Sequence, residues 1–113
     1  GKYPVTFDIN GDYKSVSEQK EIILFRILQE AVNNIIRHAS ASYIVILLSS
    51  LNEELKLYIQ DNGKGFDTKS PYPPSRKIGG IINMQQRARL IDARLDIEST
   101  IGKGTIITVS TSV

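Results

Sequence analysis

A chain of 113 residues, 41% of them hydrophobic, has the length of one domain and apolar content for one ordinary core. Its formal net charge is only +2, and its fourteen basic residues are scattered rather than gathered into a stripe with interleaved aromatics, which argues against a nucleic-acid partner. The lack of cysteine excludes disulfides and thiolate metal sites, no apolar run approaches the roughly 20 residues of a membrane span, and no charged, then apolar, leader opens the chain. Beginning at Gly1, it reads as a piece of something longer.

Taken in order, Tyr3 to Ile9 alternates with period two and predicts an edge strand, which Pro4 suits, with a turn at Asn10-Gly11-Asp12. From about Ser17 to Ala39 two apolar stripes, Leu24, Leu28, Ala31, Ile35 and Phe25, Val32, Ile36, Ala39, predict a long amphipathic helix. Ser17 is its N-cap, with Lys20 where a capping-box Glu would stand. Tyr43 to Leu48 reads as a buried strand. A second strand follows with Leu55, Leu57, Ile59 and Asp61 on one face and Lys56, Tyr58 and Gln60 on the other. Residues 67 to about 78 are polar and proline-rich, the composition of a lid rather than an element. Helical spacing returns at Ile81, Met84, Ala88 and Ile91, opened by Gly79-Gly80, and two strands close the chain: one at Leu95 and Ile97, the other from Thr105 to Val113 after the Gly102/Gly104 turn. The order β, α, β, β, lid, α, β, β fits a two-layer α/β sandwich, its mixed sheet covered on one face by helices, better than a doubly wound parallel sheet.

Several residues along this frame could carry chemistry. Glu30 and Asn34, one helical turn apart, project beside the apolar stripe; alone, such a pair is equally a solvated helix face. A hard Mg²⁺ bound to nucleotide phosphates and waters needs one or two protein oxygens, and the Asn34 carboxamide suits it, while Glu30 could orient a water or take a proton. Asp61 is placed inward by period two, where a carboxylate needs a partner such as the exocyclic amine of adenine. Gly63 and Gly65 let the backbone turn and approach a ligand, although Asn62-Gly63 is also a plain hairpin signal. Gly79 and Gly80 place a helix N-terminus, a phosphate-binding feature, at the exit of the lid; paired glycines also serve as simple hinges, and no P-loop follows them. His38, at the helix end, reads as structural.

The motifs, in order, resemble those of histidine kinases. Gln29 to Ala39 is similar to the N box, Asp61-Asn62-Gly63-Lys64-Gly65-Phe66 to the first glycine box, Ile78 to Ala88 to the second, and Ser99 to Thr105 to the last glycine turn. The resemblance runs from Glu18 to Val109 and is nearest the nitrate-sensor class of two-component sensor kinases, with an N box carrying Glu-Ala and ending in a basic-His-Ala segment. It implies the Bergerat (GHKL) ATP-binding fold over 1–113, with ATP and Mg²⁺ as cofactors. It further implies that Asn34 ligates Mg²⁺, Asp61 binds adenine, Gly63 and Gly65 shape its pocket, Gly79 and Gly80 meet phosphates, Thr105 closes the adenine side and Glu30 matches the N-box catalytic acid. One departure stands out: Ile78 occupies a position that is usually Gly in the second box, so lid closure over the phosphates would differ.

The resemblance also implies a transferase that passes the ATP γ-phosphate to a histidine on a separate dimerisation and phosphoacceptor domain, with a response regulator downstream. The lone histidine, His38, lies inside the N box, so the nucleophile must come from elsewhere and the isolated domain would be inactive by itself. Such a domain is cytoplasmic and makes no membrane contact of its own, with anchoring in the cell membrane left to the remainder of a longer protein. The alternatives are an anti-sigma-type protein serine kinase of the same fold and a degenerate ATP-binding scaffold.

Overall fold

The computed structural model describes residues 5–11, 17–39, 41–65 and 75–112. Strand β1 (Val5–Gly11) is followed by helix α1 (Glu18–Asn34), a π-helical turn (Ile35–Ala39), β2 (Ile44–Leu51), β3 (Glu54–Asp61), α2 (Ser75–Leu90), β4 (Arg94–Thr100) and β5 (Gly104–Ser112). The strands form one sheet in the order β1-β2-β3-β5-β4. β1 pairs parallel to β2 and every other pair is antiparallel, so the sheet is mixed as expected. A parallel pair needs a long crossover, and α1 provides it. The expected edge strand is at the edge, although its Tyr3-Pro4 start lies outside the described residues. Its end differs from expectation: Asn10 and Gly11 pair with Ser49 and Ser50 instead of turning, because the ladder with β2 offers their backbone groups partners that a turn would not.

Helix α1 starts where its cap dictates. The Ser17 hydroxyl accepts the Lys20 backbone N–H at 3.2 Å, and Glu18 and Glu21 occupy the first turn, where the helix dipole favours negative charge. Its buried stripe is Leu24, Ile27 and Ala31, continued by Ile35 at the start of the π turn. Ile27, fully buried, was not part of either predicted stripe, whereas Phe25 and Ile36 are 58% and 50% exposed. A helix spaced at i, i+3 and i+4 offers several overlapping apolar stripes, and only the position of the sheet selects one.

β2 and β3 are joined by Asn52 and Glu53, both left-handed (φ 53 and 64), the conformation of a tight two-residue hairpin turn. Leu55, Leu57, Ile59 and Asp61 are all buried, with Lys56, Tyr58 and Gln60 on the other face. α2 stops in a Schellman arrangement: Ala93 N–H reaches Ala88 C=O at 2.8 Å, Asp92 N–H reaches Arg89 C=O at 3.2 Å, and Asp92 itself is left-handed (φ 52). Met84, Ala88 and Ile91 from this end of the chain join Ile44, Ile46, Leu57, Ile59, Ile107, Val109 and the α1 stripe in a single core between the helices and one face of the sheet. Full burial of Ile27, Ile59 and Met84 contributes about 1.5–3 kcal/mol each. The result is the two-layer sandwich expected, with both described helices, α1 and α2, on the same face of the sheet.

The start of α2 is a correction. Gly79 and Gly80 were expected to open the helix and 67–78 to form the lid, but α2 begins at Ser75 and contains both glycines. The proline restriction on the backbone ends at Pro74, and Arg76, Lys77 and Ile78 are all competent helix formers, so helix propagates as soon as the prolines stop. Residues 66–74, the rest of the expected lid, lie outside the described residues. Among the described residues no helix is long and apolar enough to cross a membrane.

Candidate nucleotide site

The site is assembled at the end of β3. Asp61 is the last residue of that strand, 3% exposed, and is the polar terminus of the otherwise apolar inward row. In register across the sheet lie Ile44, Asp61, Thr105 and Ser99, one rung contributed by β2, β3, β5 and β4. Asp61 Oδ1 accepts the Gly63 N–H at 2.7 Å, so the carboxylate closes a turn with the glycine loop. The hydroxyls of Ser99 and Thr105 are hydrogen bonded at 2.8 Å, and Ser99 Oγ also donates to the Gly104 carbonyl at 3.3 Å. A buried carboxylate and two half-buried hydroxyls, one beside the next on the same face of the sheet, offer both acceptors and donors to the edge of a heterocycle.

Two glycine segments are locked against each other here. Gly65 is left-handed (φ 64), and a Cβ there would run into the Thr100 carbonyl oxygen. Gly104 (φ 107) has no room either, because a Cβ would strike the Asp61 carbonyl. Gly102 N–H donates to Lys64 C=O at 2.6 Å, and Lys103 N–H to Thr100 C=O at 2.9 Å, closing the β4–β5 turn onto the 63–65 loop. These glycines are therefore required by close backbone approach, and the approach is what brings Thr105 and Ser99 beside Asp61.

Glu30 and Asn34 come from α1, both half-buried at the edge of its buried stripe, as the helical spacing indicated. Directly after Asn34 the helix widens into the π turn, with the Ile35 N–H shared between the Ala31 and Val32 carbonyls. π turns recur at functional sites, and nothing in the sequence announces this one. Among the described residues no three acidic or histidine side chains come together as a metal cluster. Asp61, Gly63, Gly65 and Thr105 are thus brought into one place, Glu30 and Asn34 share one helix edge, and Gly79 and Gly80 lie within α2, which packs along α1.

Sequence reasoning missed two side chains. Ser99 could have been found, since a turn closed by the Thr100–Gly104 pair places Ser99 opposite Thr105. Asn62 could not: its Oδ1 accepts the backbone N–H groups of Ser42 and Tyr43 at 2.9 and 3.1 Å, and its Nδ2 donates to Ser42 Oγ at 2.6 Å, partners about twenty residues away in sequence.

Known proteins share both the sequence and the fold. A sensor-like histidine kinase of Chloroflexus aurantiacus is 41% identical over 101 residues, 87% of this chain and 17% of that protein. The histidine-protein kinase/phosphatase DegS of Bacillus subtilis is 34% identical over 111 residues, 96% of this chain and 29% of its own length. The chain therefore spans less than a third of these relatives. The histidine kinase domain of the Erythrobacter litoralis blue-light activated kinase superposes with a TM-score of 0.69 at 20% identity, over 96% of this chain and 51% of that one, a likeness of fold. The family model described as histidine kinase-, DNA gyrase B- and HSP90-like ATPase matches residues 19–113, and with the rung and glycine turns in place the chain belongs to that family of ATP-binding domains.

Proposed function

We propose that the chain is the ATP-binding catalytic domain of a sensor histidine kinase, which positions Mg·ATP for transfer of its γ-phosphoryl group to a histidine on a separate helical domain, with a response regulator as the next acceptor. The observation that carries this reading is the Asp61–Thr105–Ser99 rung ending against the two interlocked glycine turns, in a chain whose relatives are named as sensor kinases. Asp61 accepts the exocyclic amine of adenine, Thr105 closes the same edge, and Gly63 and Gly65 shape the pocket. The N box, with Glu-Ala at 30–31 and Arg37-His38-Ala39 at its end, supports the nitrate-sensor class.

Asn34 supplies the protein oxygen for Mg²⁺. The donor set fits that ion: one carboxamide with a carboxylate a turn away, and no cluster of acids among the described residues, suits a metal held mainly by phosphates and water. Asn34 would hold the ion at the phosphates, where it would supply charge neutralisation for phosphoryl transfer. Glu30 orients or deprotonates the attacking group. The assignment of Gly79 and Gly80 to phosphate rests on their motif position. Inside α2 their N–H groups belong to the helical ladder, so contact with phosphate at these glycines is coupled to unwinding of the first α2 turn.

The test is incubation with γ-labelled ATP of this chain and of a longer version that includes the upstream helices. Label is expected on an upstream histidine of the longer protein and not on this chain. Label at His38, or none on the longer protein, would reject the proposal.

A further inference from the structure

We propose that Asn62 is a positioning residue for base recognition, aiming the Asp61 carboxylate by clamping the loop that leaves the N-box helix. The role rests on the reading of Asp61 as the adenine acid. The Ile44–Asp61 pair is the last rung between β2 and β3. One residue further on, the Asn62 carboxamide takes over from the ladder: its oxygen accepts two successive N–H groups, Ser42 at 2.9 Å and Tyr43 at 3.1 Å, and its nitrogen donates to Ser42 Oγ at 2.6 Å. Two N–H donors converge on the oxygen and a hydroxyl receives the amide, so both ends of the carboxamide are oriented at once.

The clamp reaches the acid through one further bond. Gly63, held next to Asn62, donates its N–H to Asp61 Oδ1 at 2.7 Å. The buried carboxylate is thus tied through Oδ1 to the backbone at Gly63, and that backbone is anchored through Asn62 to Ser42 and Tyr43. The anchored loop comes directly from the segment that carries Asn34 and then the π turn. Asn62 consequently ties the acid that reads the base to the strand entry behind the metal ligand. Its bonds to Ser42 and Tyr43 lie at the surface, where water can replace each partner, so their loss costs little stability and acts mainly on geometry.

The experiment measures ATP and ITP affinities of the chain by calorimetry, together with thermal unfolding, for the parent, Asn62→Ala, Asn62→Gln and Asn62→Asp. ITP replaces the exocyclic amine with a carbonyl, so the ATP-over-ITP ratio reads the aim of Asp61. Asn62→Ala is expected to reduce that ratio about tenfold, the loss of one well-aimed hydrogen bond, with ITP binding almost unchanged. Asn62→Gln keeps the carboxamide but displaces it by a methylene and should lower the ratio in the same direction, which serves if the alanine variant unfolds. Asn62→Asp should restore most of the ratio, because a carboxylate can accept both N–H groups. An undiminished ratio in folded Asn62→Ala or Asn62→Gln, or equal losses for ATP and ITP, would overturn the role of Asn62 while leaving Asp61 in place. No ATP preference in the parent would instead remove Asp61 from the base, and the proposal with it.

Discussion

The interlocking of the two glycine turns can be tested by one methyl group placed at two positions. Gly102 and Gly104 belong to the same β4–β5 connection and both have positive φ, 82 and 107, so an alanine at either is conformationally strained by about 1–2 kcal/mol. They differ in surroundings: nothing lies within 4 Å of a Cβ at Gly102, whereas a Cβ at Gly104 meets the Asp61 carbonyl and the Asn62 Cα. These are backbone atoms and cannot swing aside. Gly104→Ala should therefore add an overpacking cost of about 1–3 kcal/mol to the strain, for a total of about 2–5 kcal/mol. For a chain of 113 residues each kcal/mol lowers the unfolding midpoint by about 4 °C, so Gly102→Ala should lose about 4–8 °C and Gly104→Ala about 8–20 °C. Thermal unfolding by circular dichroism reads the difference, and nucleotide titration of the folded fraction should show weaker ATP binding for Gly104→Ala only, since the displaced atoms belong to Asp61. Equal midpoints for the two variants, or unimpaired ATP binding by Gly104→Ala, would refute the close approach of β5 to the end of β3.

Three further outcomes are expected. Asn34→Ala should weaken Mg·ATP far more than metal-free adenosine in calorimetry; equal losses would take Asn34 away from the metal. Asp61→Asn should cost adenine binding on the order of 2 kcal/mol, and GTP should compete poorly with ATP for the parent chain, so equal competition would contradict the adenine assignment. Glu53, left-handed at φ 64 in the β2–β3 turn, is strained where glycine would not be, and Glu53→Gly should raise the unfolding midpoint by a few degrees, about 1 kcal/mol; a lowered midpoint would mean that the turn is not of this type.

Local rules carried a large part of this protein. Period two in Leu55, Leu57, Ile59 and Asp61 put the acid on the buried face, because neighbouring side chains on a strand have no choice but to alternate. Ser17 marked the start of α1, because a hydroxyl before the first turn satisfies N–H groups that no later residue can reach. The helical spacing put Glu30 and Asn34 on one edge, and the order of the motifs along the chain points to the family. Each of these depends on atoms a few residues apart. What remained hidden depends on partners distant in sequence. Ile27 rather than Phe25 is buried because the sheet lies on one side of α1, and α1 alone is apolar on more than that side. Asn10 and Gly11 extend β1 because β2 supplies a ladder. Asn62 is a clamp because Ser42 and Tyr43 arrive beside it from the far end of the β2–β3 hairpin, and Ser99 completes the rung because β4 and β5 fold back on each other next to β3. Spacing along a chain orders the side chains of one element, but which of them meet is settled only when the elements pack, since the energy of those contacts exists only between segments.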